Sequence, residues 1–220
     1  MPDEYARGKQ NQVRQLRKKA AYDKKTVHAI LDAGLLAHVA FVQDGQPVVV
    51  PMLYGRRNET VFLHGARKAR VIRLLEGTGT ACMNVTLVDG LVYARSAFNS
   101  SMNYRSVTVF GSVRLVDDDA EKRAALRVIT ECTMPGRWDE LREPLAKEVR
   151  MTGVIALDIE SASAKVSTGM PEDEAEDYSI PIWAGVLPLR AQFTNLQTDD
   201  RVLDGVAASD AVLEMEGKVL

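Results

Sequence analysis

Cysteine, histidine and long apolar runs are all scarce in this chain of 220 residues, and each scarcity removes a class of function. Cys82 and Cys132 are isolated thiols without partner spacing, so neither a disulfide framework nor a cysteine-built metal centre is expected, and a reducing compartment is. His28, His38 and His64 show no ligand spacing, and no metal is expected from them. No apolar run reaches membrane-spanning length, and the opening MPDEYARGKQNQ has no signal-peptide core, so a cytoplasmic chain without a membrane partner is expected. The formal net charge of −2 gives no drive toward nucleic acid. There is no Ser–His–Asp arrangement, no carboxylate pair and no internal repeat.

The patterning that is present describes one domain with two appendages, divided as 1–22, 23–190 and 191–220. Residues 1–22 are polar and basic, an arm expected to be helical and solvated; Tyr5 and Tyr22 are too few aromatics for a nucleic-acid arm. Asp23 caps a predicted helix KKTVHAILDA that Gly34 ends. A hairpin follows, turning at Asp44-Gly45, with Pro51 marking its second arm as edge-like or bulged. TVFLHG reads as a strand and ARKARVIRLLEG as a helix ending at Gly77. Residues 78–98 read as a hairpin turning at Asp89-Gly90, and 117–134 as a helix. WDELREPLAKEV is a poorer helix, VIALDIESASAKVSTG supplies the last strands, 171–190 is a loop and 191–220 an appended tail. About seven short strands with helices between them give a mainly β (α+β) fold, a single barrel with peripheral helices.

Two stretches carry the chemistry. In YARSAFNSSMNYRSVTVFGSVRL (93–115), a polar elbow at 99–103 precedes a strand that opens at Tyr104. Its period puts Val107, Val109, Gly111, Val113 and Leu115 on one face, and Ser106, Thr108, Phe110, Ser112 and Arg114 on the other. Small hydroxyls beside a glycine suit the close approach of a flat ligand or of another backbone. In His64-Gly65-Ala66-Arg67-Lys68-Ala69-Arg70 a strand meets a helix, and three cations oppose the positive end of the helix dipole. An anionic ligand would resolve that conflict, while a solvated basic face would need none.

Taken together, VVPMLYGRRNETVFLHGARKAR (49–70), YRSVTVFGSV (104–113) and IWAGVLPL (182–189) resemble the pyridoxamine 5'-phosphate oxidase-like, FMN-binding split-barrel family, and within it the branch of nitroimidazole-resistance proteins. The resemblance spans about residues 20–190. It implies a six- to seven-stranded antiparallel split β-barrel, FMN as cofactor, a homodimer with two sites at its interface, and a small organic, possibly nitro, substrate. Val50, Pro51, Met52 and Leu53 would then run along the isoalloxazine edge, with His64 and Gly65 near the ribityl and phosphate. Arg67, Lys68 and Arg70 would supply phosphate charge; Asn99, Tyr104 and Ser106 would border the site, and Trp183 would cover it from the partner. Ala69 stands where the family often has glycine or serine.

The residues alone leave alternatives open. His64 is either a proton-transfer group or a packed turn histidine, and Trp183 either a stacking residue or core. The acidic run Glu172–Asp177 reads as a solvated flap or as a lid. A carrier without turnover, a deazaflavin, and heme held by His38 or His64 stand beside the flavoenzyme reading.

Overall fold

A computed structural model describes residues 3–220. The elements in chain order are β1 (Ala20–Ala21), α1 (Lys24–Ala33), β2 (Leu36–Gln43), β3 (Gln46–Arg57), β4 (Thr60–Ala66), α2 (Arg70–Thr78), β5 (Thr80–Tyr93) and β6 (Ser101–Leu115). They continue with α3 (Asp119–Thr133), α4 (Ala146–Met151), β7 (Thr152–Ser167), β8 (Gly185–Pro188) and α5 (Asp210–Leu213). The strand order β7-β4-β3-β2-β5-β6 closes on itself because β6 also pairs β7, so six antiparallel strands make the barrel. The short β1 adds to β7, and β8 adds to the far end of β5.

Alternation fills the interior: Ala37, Val39 and Phe41 of β2, Met83 and Val85 of β5, Val107 and Val109 of β6, and Ile155 and Leu157 of β7 are buried together. Helices α1 and α2 plug the barrel, adding Val27, Ile30, Leu31, Ile72 and Leu75 to the same core. Each such side chain contributes roughly 1.5–3 kcal/mol by leaving water. A smaller cluster lies outside, where Ala125 and Ile129 of α3 cover Phe62, Val154 and Ala156.

Most local expectations match. Asp23 caps α1 through Thr26 N–H (2.8 Å), and Asp44 and Gly45 both take positive φ in the β2–β3 turn. Other local readings need correction. Strand β5 runs straight through Asp89-Gly90 as a bulge, because β6 pairs on one side and β8 on the other. The turn lies at 94–100, so β6 opens at Ser101 rather than Tyr104. Helix α2 starts at Arg70 and ends beyond Gly77, at the left-handed Gly79. Within 138–149 only a 3-10 turn (Trp138–Glu140) and the start of α4 are helical, parted by Pro144. VIALDIESASAKVSTG supplies a single strand, β7, which ends at Ser167, and the predicted loop 171–190 contains β8.

The N-terminal arm is not a solvated helix; its first two residues lie outside the described ones. Tyr5 and Tyr22 are buried, Tyr5 N–H donates to Tyr22 O (3.0 Å), and Asn11 Nδ2 donates to Ala162 O (3.1 Å). The tail folds back on itself, Gln192 bridging Val219, and Ser209 Oγ donates to Glu140 (2.7 Å).

Candidate functional site

The site is built where β3 and β4 part. Gln43 and Gln46 close the two-residue hairpin, so the even residues of β3 bond to β2 and the odd ones turn their main-chain groups to the opposite edge. Strand β4 takes that edge only from Arg57 to Tyr54. Among the described residues no strand pairs the edge from Gln46 to Leu53, which leaves Val49 with a free N–H and C=O. Pro51 offers a carbonyl alone, and its missing N–H is tolerated because the edge is open. The four residues do not share a face: Met52 is in the core and Val50 half-buried, while Pro51 and Leu53 are exposed.

Continuing the Tyr54–Leu63 register would set His64 against Leu53, but β4 instead runs on along β7 with His64 opposite Val154. The His64 imidazole is half-buried, and its Nδ1 is enclosed without a hydrogen-bond partner. Burial pushes its pKa below the ordinary imidazole value, so the ring is neutral near pH 7. Gly65 is half-buried opposite Gly153 of β7, and it is Gly153 that leaves room for Ile72 of α2, since a Cβ there would lie 2.6 Å from its side chain.

The next turn departs from its predicted form. Arg67 N–H donates to Met151 O (2.8 Å) and Ala69 N–H to Ala66 O (2.8 Å), so Arg67 and Lys68 precede α2 rather than belonging to it. Arg67 pairs with Glu76 (3.1 Å), Arg70 Nε donates to Gln43 (3.0 Å), and Lys68 is exposed. Glu76 therefore answers one charge of three. Ala69 provides no side-chain cap, so the first-turn N–H groups of α2 meet the remaining positive charge.

Of the other expected site residues, Asn99 lies in the turn between β5 and β6, Tyr104 and Ser106 on β6, and Trp183 on the segment just before β8. Asn99 N–H donates to Ser96 Oγ (3.1 Å), Tyr104 lies in β6 between Val88 and Ser167, and Ser106 Oγ donates to Lys165 O (3.4 Å). Trp183 is not core: it is 71% exposed, with its ring 5.9 Å from that of Tyr93. Among the described residues no hydrogen bond or strand pairing joins these four to residues 50–70. Gly111 serves backbone, not ligand, since a Cβ there would lie 1.8 Å from Asp158 O.

Sequence reasoning missed Arg95, Asp173 and Tyr178. Asp173 was read as part of a solvated run, yet its side chain is fully enclosed, accepting from Arg95 N–H (2.9 Å) and Arg95 Nη1 (3.0 Å). The Arg95 guanidinium stacks on Tyr178 (5.0 Å), and its Nε is enclosed without an acceptor. Nothing in the spacing of five carboxylates marks which one is buried.

His38 points outward from β2 between Pro51 and Asn84, with the apolar Leu36, Leu53 and Val49 beside it on the β3 side. Among the described residues no three His, Cys, Asp or Glu side chains cluster as a metal site, and no helix is long and apolar enough to cross a membrane.

Residues 23–166 match the family model described as pyridoxamine 5'-phosphate oxidase. The flavocytochrome Anf3 from Azotobacter vinelandii superposes with a TM-score of 0.91 at 40% identity, over 97% of this chain and 100% of that one. An FAD and heme binding protein from Mycobacterium smegmatis gives 0.87 at 37% identity, over 90% and 98%. A protein described as a 5-nitroimidazole antibiotic resistance protein, from Bacteroides thetaiotaomicron, gives 0.54 at 24% identity, over 67% and 86%, and supports the fold alone. No curated protein sequence matches. With its six-stranded split barrel and a family match over 144 residues (23–166), the chain belongs to the pyridoxamine 5'-phosphate oxidase family.

Proposed function

We propose that the chain is a flavin-binding oxidoreductase acting on a small organic molecule, with the flavin laid in the opening between β3 and β4. One observation carries this reading. An unpaired sheet edge at Val49–Leu53, an uncommitted imidazole nitrogen on His64 and an uncapped cationic turn at Arg67–Arg70 follow one another around a single opening. The edge suits the donors and acceptors of a flat heterocycle, and the turn suits a phosphate. A charge-assisted contact is worth roughly 1.5–3 kcal/mol, so Lys68 and Arg70 together can dominate retention. The flavin would supply the redox chemistry, and this chain the position, charge and access.

FMN and FAD present the same first phosphate to the turn. The names of the two relatives at 40% and 37% identity, a flavocytochrome and an FAD and heme binding protein, bring FAD into the reading beside FMN. A homodimer would complete the site: among the described residues no hydrogen bond or strand pairing joins Asn99, Tyr104, Ser106 or Trp183 to residues 50–70, so a second copy would bring them to the opening. The exposed outward row Leu36, Val49 and Leu53 supplies apolar surface for that contact. No nitro substrate is favoured over other small organic molecules.

Heme as a second cofactor is favoured by a separate feature: His38 stands exposed on an outer face that is apolar on its β3 side, and the same two relatives are named for heme or as a flavocytochrome. The test is the double variant Lys68→Ala/Arg70→Ala. It is expected to keep the circular dichroism and melting of the parent while losing bound flavin on gel filtration. Full flavin occupancy in that variant would overturn the phosphate assignment.

A further inference from the structure

The segment after β7 is fastened to the β5–β6 hairpin at three places. Asn103 Nδ2 donates to Gly169 O (3.0 Å), Asp173 accepts from the main-chain N–H and the Nη1 of Arg95, and β8 pairs the end of β5. Only the middle fastening is an ion pair, and its carboxylate is wholly enclosed, with the guanidinium 22% exposed. Tyr178 closes it from the other side, its ring under Arg95 and its hydroxyl accepting from Asp173 N–H (3.3 Å). Just beyond, Ile180, Ile182 and Trp183 are exposed at 41%, 47% and 71%. An exposed indole is ordinarily free to change rotamer. This one rests against Tyr93 and lies so close over Gly185 that a Cβ there would be 2.8 Å from its ring.

We infer that Arg95 and Asp173 form a latch that sets Trp183 in place as an aromatic cover for the flavin site of the second copy, which makes both of them positioning residues. The acidic run is then not one feature. Glu172, Glu174 and Glu176 are exposed and Asp177 is half-buried, while the side chain of Asp173 is fully enclosed against Arg95. An enclosed carboxylate left without its cation is strongly unfavourable, so the loop closes only in the register that brings Asp173 to Arg95. Trp183 then lies ten residues after the latched Asp173 and two before Gly185, which β8 pairs to Tyr93, so the indole is held from both sides. The inference deepens the proposed function and rests on it for the identity of what Trp183 covers. The latch itself rests on the contacts alone.

The experiment uses the full chain with Asp173→Asn, Trp183→Phe and the double variant. In the apo proteins, limited proteolysis within 174–184 and the fluorescence anisotropy of Trp183 are compared; Trp183→Phe subtracts the signal of Trp138. Asp173→Asn is expected to speed cleavage there and lower the anisotropy. FMN and FAD titrations of all four proteins then form a double-mutant cycle. Each single variant is expected to weaken flavin binding about tenfold, and the double variant no further, because Asp173 acts through Trp183. Losses that multiply in the double variant would overturn the positioning role. Unchanged cleavage and anisotropy in Asp173→Asn would overturn the latch. A wild-type chain that binds neither flavin would sink the proposed function and the cover with it, while the proteolysis arm would still decide the latch. Asp173→Glu, which keeps the charge, guards against a variant that merely misfolds and is expected to restore part of the protection.

Discussion

Glu76 sets how much of the turn's charge a ligand meets. It is 40% exposed and pairs with an Arg67 that is 34% exposed, a surface pair worth at most about 1 kcal/mol and easily broken by a competing phosphate. Glu76→Gln is therefore expected to leave the melting temperature nearly unchanged and to tighten flavin binding a few-fold. The gain should shrink at high salt, as flavin-fluorescence titrations at two ionic strengths will show. His64 gives a pH signature. Its folded-state pKa lies below the ordinary 6.5, so the unfolded chain takes up a proton that the folded chain refuses. The contribution is fully present above about pH 6.5 and is lost as pH falls toward the depressed value. His64→Asn is expected to flatten the fall in melting temperature across that window. Some slope should persist, because burial and the nearby Arg56 lower the pKa of His28 too.

Among the elements, β3 shows why the local pattern was readable. A proline in a strand can only belong to an edge, and Pro51 faces the stretch that β4 leaves unpaired. Pro51→Val would restore a donor to that edge and offer a full row of groups to another chain. The apo variant is expected to melt as the parent does but to scatter more light on standing; unchanged scattering would show that the edge is already covered. Strand β5 shows the opposite case. Asp89-Gly90 carries the signal of a hairpin turn, yet the strand continues. Asp89 is used twice from within it: its carboxylate holds Arg105 (2.7 Å), and its carbonyl takes Leu189 N–H (3.0 Å). Both partners are distant in sequence, so no window centred on 89 could show them. The start of α2 failed for the same reason: the pairing of β4 with β7 draws the chain out as far as Ala66, and Met151 then takes Arg67 N–H.

For the molecule as a whole, the barrel was legible because its alternation and its turns at Asp44-Gly45 and Asn58 are local facts. Closure was not, since it depends on β6 and β4 both pairing β7 across long stretches of chain. The cationic turn was legible as charge but not as commitment: Glu76 and Gln43 engage Arg67 and Arg70 in ways that spacing does not reveal. Residues 95 and 173 lie 78 apart, and their pairing emerges only once the hairpin and the last segment are folded together. In the proposed homodimer a second copy completes the site, and flavin affinity is then expected to fall on dilution below the dimer's dissociation constant. The visible absorbance of the purified 220-residue chain tests the central claim most directly. The two bands of an oxidised flavin are expected, released on denaturation as FMN or FAD, with a Soret band added if His38 holds heme. A spectrum without flavin bands, together with no quenching of FMN or FAD on titration, would contradict the account.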